Sequence, residues 1–313
     1  MIGDCIVRFG IMRETVVYCL ALGLGLSFQP AMADEATGSP PSPALTALST
    51  PAAKTVPIQE PAPILCTPAT PPADKSKFEI FLLVGQSNMA GRAPLTAADR
   101  VADPRVLVLN RLDQWGSQGE PLHYDKPKAL GVGPGFTFAK LLADKEAGVT
   151  IGLVPCAFGG TSLGQWDPRS KNLLYPPDNL YNNAIRRAKI ALQSGTLAGI
   201  LWHQGESDAG KGADTYAARL AKLAAQFRKD LNAPDVPFIL GEIGYFNYTT
   251  HPFAKIINQQ IDTLPALVSQ SAVASADGLK DKGDHLHFDN ASQKELARRF
   301  LDAFLKAKGN PRQ

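Results

Sequence analysis

The chain has 313 residues, 44% of them hydrophobic and 19% charged, with a formal net charge of +3. That length accommodates one sizeable globular domain and some further chain. The near-balanced charge and the lack of interleaved basic and aromatic residues argue against nucleic acid as a partner.

Residues 1–33 read as an export signal. Arg8 and Arg13 form a basic start, residues 15–28 an apolar stretch, and Ala31-Met32-Ala33 a cleavage site before Asp34. Met12 offers an alternative start. The apolar stretch is short of the about 20 residues that a span needs. Cleavage is therefore expected to leave no stable membrane anchor and an exported protein, periplasmic or secreted. Residues 34–74 are rich in Pro, Ala and Thr and cannot build a core, so a disordered linker is expected there. The folded domain is expected over 75–308, with 309–313 as a tail. Cys5 and Cys19 leave with the signal. Cys66 and Cys156 remain, and a disulfide between them or a buried free thiol at Cys156 are both open.

Within 75–308 apolar runs alternate with helical patterns. Strands are expected over 78–85, 106–110, 149–155, 197–203, 237–242 and 271–276. Helices are expected over 133–146, 179–193, 214–231 and 253–263. A capping box, Ser292-Gln293-Lys294-Glu295, is expected to open a last helix. The alternation predicts an α/β fold: three layers, α/β/α, with a parallel, flavodoxin-like sheet of about five strands. Ligands bind such sheets at the carboxyl ends of the strands.

Four polar, Gly-containing segments follow apolar strands: Gly85-Gln86-Ser87-Asn88, Phe158-Gly159-Gly160-Thr161, His203-Gln204-Gly205-Glu206 and Gly283-Asp284-His285-Leu286-His287. They bring a serine, paired glycines with accessible N–H groups, a side-chain amide, and an acid three residues before a histidine. These are the parts of acyl transfer: nucleophile, oxyanion donors, base and orienting acid.

The segments GQSNMAGR, GGTSL, WHQGESD and DHLH together resemble those of the SGNH hydrolase superfamily. The resemblance is stronger to its carbohydrate esterase family six and sialate O-acetylesterase-like branch. It implies Ser87 as nucleophile, His287 as general base and Asp284 as its partner. It places the Ser87 N–H, the Gly159-Gly160 backbone and the Gln204 side chain in the oxyanion hole. Gln86 stands where the wider superfamily has Asp and Gln204 where it has Asn, as in the carbohydrate branch. Gln86, Asn88 and Glu206 are expected to support the site. Arg92 and Trp166 are candidates for substrate binding.

Other readings compete at single positions. His285 and His287 have a metal-pair spacing, but catalytic zinc wants a third protein ligand, and no metal or cofactor is expected. His203 is expected to be structural. Glu206 rivals Asp284 as the acid, yet is expected to hold the site together through Arg92 or a backbone amide. Trp115 and Trp166 are either packing residues or sugar platforms. The expected function is a serine esterase releasing O-acetyl groups from carbohydrate, of acetylxylan or sialate type. A non-catalytic carbohydrate-binding protein on the same fold and an O-acetyltransferase are the alternatives. The glycan, the sugar position and the oligomeric state stay open.

Overall fold

Along β2 (Phe78–Gly85) successive side chains enter two different cores. Phe78, Ile80, Leu82 and Val84 face one, Phe81 and Leu83 the other. A strand covered on both faces needs apolar residues on both, hence the unbroken run from Ile80 to Val84; Glu79, at the strand's start, is only partly buried. The computed structural model describes residues 66–309. The expected signal, most of the expected linker and residues 310–313 of the tail lie outside them.

Eight strands form one sheet: β1 (Thr67–Pro68), β2, β3 (Val106–Leu109), β4 (Trp115–Ser117), β5 (Thr150–Pro155), β6 (Thr196–His203), β7 (Phe238–Gly241) and β8 (Ser271–Ala274). Their order is β1-β4-β3-β5-β2-β6-β7-β8. The six strands from β3 to β8 in that order are parallel; β4 and β1 are antiparallel additions at one edge. The sheet is thus mixed and larger than the parallel sheet of about five strands expected. The cause is the turn after β3. Asn110 accepts from Leu112 and Gln114 N–H through its side chain, and Asp113 sits at φ 59°. So short a link permits only an antiparallel return. Leaving β3 aside, the five other parallel strands do run 2-1-3-4-5, the flavodoxin order.

The sheet also starts earlier than Lys75. Thr67 and Pro68 pair with Ser117 and Gly116, so the end of the expected linker is an edge strand. Proline is tolerated at such an edge. Cys66 lies against Gly116, while Cys156 is fully buried beyond β5; both are free thiols, and the disulfide alternative falls.

Among the described residues six α-helices flank the sheet: α1 (Ser87–Ala90), α2 (Gly135–Lys145), α3 (Leu180–Ala191), α4 (Tyr216–Asp230), α5 (Ala254–Thr263) and α6 (Asn290–Lys308). Phe138 and Leu142 of α2 and Phe300 and Phe304 of α6 pack with Phe81. Tyr181, Leu220, Phe227 and Ile257 of α3, α4 and α5 pack on the other face. The expected capping box is displaced. Asp289 caps α6 by accepting the Ser292 N–H at 2.7 Å, and the Ser292 hydroxyl instead accepts the Lys280 N–H. Among the described residues, no helix is long and apolar enough to cross a membrane.

Candidate active site

Ser87 stands where central strand β2 turns into α1. Gly85 permits that turn: its φ is 128°, and a Cβ there would lie 2.1 Å from the His203 carbonyl oxygen. The Gln86 N–H donates to that same oxygen at 2.9 Å, tying the tips of β2 and β6 together. Ser87 is left in the floor of the rim, 4% exposed.

The base arrives from the other end of the fold. After edge strand β8 the chain returns toward the centre and presents Asp284 and His287. Ser87 Oγ lies 3.0 Å from His287 Nε2, and His287 Nδ1 lies 2.7 Å from Asp284 Oδ2. Asp284 Oδ1 accepts the N–H groups of His287 and Leu286 at 2.8 and 3.0 Å. Burial pushes the Asp284 carboxyl up, but the His287 N–H, the imidazole and the Leu286 N–H outweigh it and bring it down to about 2. An ionised Asp284 fixes the ring with Nδ1 protonated and Nε2 ready to accept a proton. His285, two residues away, is exposed and at φ 54°.

Asn88 grips this loop on both sides of His287. Its Nδ2 donates to Leu286 O at 3.1 Å and its Oδ1 accepts the Phe288 N–H at 3.2 Å. The same Nδ2 donates to Glu206 Oε1 at 2.6 Å. Glu206 therefore bonds Asn88, and not the Arg92 expected as one of its partners. His203 is buried, its Nε2 at 2.9 Å from Glu242 O, and burial pushes its pKa down, which keeps it neutral and structural.

The expected oxyanion donors separate. Gly159 N–H is taken by Asp125 Oδ2 at 2.8 Å. Gln204 is 0% exposed, and its Nε2 faces Asp208 Oδ2 at 2.8 Å, Thr161 O at 3.0 Å and Gln86 Oε1 at 3.1 Å. Two amide hydrogens are fully used by those acceptors, so Gln204 has none for a substrate. Gln86 Oε1 also accepts the Ser207 N–H. The Ser87 and Gly160 N–H groups donate to no protein acceptor among the described residues.

Two other expectations are corrected. Trp166 is 0% exposed and packs edge-on against Trp202 at 5.4 Å, so it is core, not a sugar platform. Trp115 likewise packs edge-on against Phe78. Arg92 is buried, paired with buried Asp125 and donating to Gly91 O at 2.7 Å, so it too is removed from substrate. Asp125 was not visible in the sequence: it lies in an irregular segment, carries no motif, and is far in sequence from both its partners. Asp208 lay within WHQGESD, where its place in a motif was the only signal.

A serine at the tip of a central parallel strand, bonded to a histidine–aspartate pair, is the equipment of an acyl-transfer hydrolase. The chain belongs to the carbohydrate esterase family described as sialic acid-specific acetylesterase, whose family model matches residues 77–306. It is 31% identical over 268 residues to an Arabidopsis thaliana protein named "Probable carbohydrate esterase", covering 75% of this chain and 96% of that one. A crystal structure of an Arabidopsis thaliana protein aligns with TM-score 0.65 at 30% identity, over 73% of this chain and 98% of the other. NanS aligns with TM-score 0.58 at 18% identity, over 76% and 98% of the two chains. A carbohydrate acetylesterase from Xanthomonas citri aligns with TM-score 0.56 at 21% identity, over 72% and 55%. At these last two identities the likeness is one of fold.

Proposed function

We propose that the chain removes O-acetyl groups from carbohydrate through an acetyl-Ser87 intermediate. The observation that carries this reading is the unbroken chain Ser87 Oγ–His287 Nε2 and His287 Nδ1–Asp284 Oδ2, at 3.0 and 2.7 Å. His287 takes the Ser87 proton as Oγ bonds to the acetyl carbon. Negative charge on the carbonyl oxygen meets the N–H groups of Ser87 and Gly160. Collapse expels the sugar oxygen, which receives the proton held on His287 Nε2. Water then repeats the sequence on the acetyl-enzyme and releases acetate.

Acetate release from acetylated sialic acid and acetylated xylo-oligosaccharide tests the reading. Ser87→Ala should fold and lose about 10⁴-fold or more in kcat. No turnover by the unaltered chain, with sugar binding retained, would favour a binding protein. Acetyl transfer to sugar in preference to water would favour a transferase.

One observation bears on the sugar. Lys126 pairs with no carboxylate among the described residues, and its Nζ lies 3.4 Å from where a Gly160 Cβ would stand. An ammonium beside the reacting ester that rests only over the Phe158 ring, 5.9 Å from its centroid, suits a sugar that carries its own carboxylate. Lys126→Met should therefore lower kcat/KM about 10-fold on acetylated sialic acid, a loss of roughly 1.4 kcal/mol, and leave acetylated xylo-oligosaccharide unchanged. Equal losses on both would remove this support for a sialate. Export is proposed from residues 1–33; N-terminal sequencing of periplasmic or secreted material should find Asp34 first.

A further inference from the structure

We propose that Asp125 is a positioning residue that holds the Gly159-Gly160 turn with its N–H directed at the developing oxyanion. The inference rests on the esterase reading above. A backbone donor stabilises a transition state only if it is already in place when charge develops. Two successive glycines are the least constrained dipeptide a chain can offer, and Gly160 sits at φ 76°. Some external restraint has to fix them.

Asp125 supplies it from a segment remote in sequence. Its Oδ2 accepts both the Gly159 N–H, at 2.8 Å, and Arg92 Nη2. The Asp125 side chain is 0% exposed and that of Arg92 4% exposed. The guanidinium packs directly on Gly159: a Cβ there would lie 2.4 Å from Arg92 Nη2 and 3.2 Å from Asp125 Oδ2. The far side of the turn is closed by Thr161 Oγ1 donating to Phe158 O at 2.7 Å and by Gln204 donating to Thr161 O. Gly159 N–H is consumed as an anchor, and Gly160 N–H is left free to act.

The Arg92 main chain also lies next to the acid of the triad. The Arg92 carbonyl oxygen accepts from Lys282 Nζ at 3.0 Å, and that ammonium stands 3.6 Å from Asp284 Oδ2. The buried ion pair thus holds the turn and, through Arg92 Nη1 on Gly91 O, the end of the nucleophile helix, while the Arg92 backbone carbonyl meets Lys282 of the acid loop.

Kinetics of Asp125→Asn with 4-nitrophenyl acetate, together with inhibition by methylboronic acid, test the proposal. The boronate forms a tetrahedral adduct on serine and so reads oxyanion stabilisation apart from substrate binding. Asparagine keeps an oxygen for the Gly159 N–H but loses the charge pairing to Arg92. We expect kcat/KM to fall about 10- to 100-fold, less than the 10²–10³ of a deleted donor, and the boronate Ki to rise by the same factor. A variant that is less stable yet keeps kcat/KM and boronate Ki within twofold would overturn the proposal and make the pair merely structural. If Asp125→Asn does not fold, Gly159→Ala gives the same readout, since its Cβ must displace the guanidinium; unchanged kinetics and Ki there would equally overturn it. Absence of esterase activity in the unaltered chain would instead defeat the function reading itself.

Discussion

At the residue scale, the site depends on how firmly His287 is aimed. Asn88, adjacent to the nucleophile, bonds Leu286 O and the Phe288 N–H, so the base is registered against the serine it must deprotonate. Asn88→Ala would release both contacts and strand buried Glu206, and each orphaned buried group costs about 1–3 kcal/mol. We expect kcat to fall about 10- to 100-fold, with KM little changed. A variant that loses stability but keeps kcat would count against aiming. The segments carrying Ser87, Asp284 and His287 were legible in the sequence as polar stretches after apolar strands, where the rim of a parallel sheet must be, while the role of each residue came from the family resemblance. Gln204 was legible as a site residue but not in its direction. Side-chain direction follows from Asp208 within the same motif together with Tyr216 and Thr161, two partners that no local pattern brings to it.

At the element scale, the irregular segment between β4 and α2 carries much of what the sequence hid. Besides Asp125 it holds Glu120, which accepts the N–H groups of Leu122 and Gly133 at 3.1 and 3.3 Å. Burial pushes the Glu120 carboxyl up, against the pull of those N–H groups, to about 8. The folded state thus holds this proton more tightly than the unfolded chain, whose ordinary value is 4.5. Its contribution to stability is full below about pH 4.5 and is lost as pH rises through about 8, at no more than about 1.4 kcal/mol per pH unit. Glu120→Gln should flatten that decline in urea midpoints measured from pH 5 to 9. Parallel declines in both proteins would mean that Glu120 is not the group responsible. The long helices and parallel strands were legible from period and apolar runs, since burial dictates those patterns. β1 and β4 were not. They are two and three residues long, too short to show a period, and only their pairing makes them strands.

At the scale of the whole molecule, the sheet is closed at one edge by β1. Ala69 N–H donates to Trp115 O at 3.2 Å beside the Thr67 and Pro68 pairs. A chain beginning at residue 75 would lose this cover over β4, and a chain beginning at residue 66 would keep it. With about 2 kcal/mol assigned to those bonds and the burial beneath them, the shorter form should melt about 4–8 °C lower. Equal melting temperatures would show that the edge strand adds nothing. The other edge has a different kind of consequence. The nucleophile is set by β2, near the start of the described fold, whereas acid and base follow β8, and α6 completes the core beneath them. During synthesis Ser87 therefore exists long before anything can remove its proton. A nascent or prematurely released chain ending before Asp284 carries the serine and neither partner. Such a chain cannot attack an ester, so hydrolytic competence and completed translation of the fold coincide.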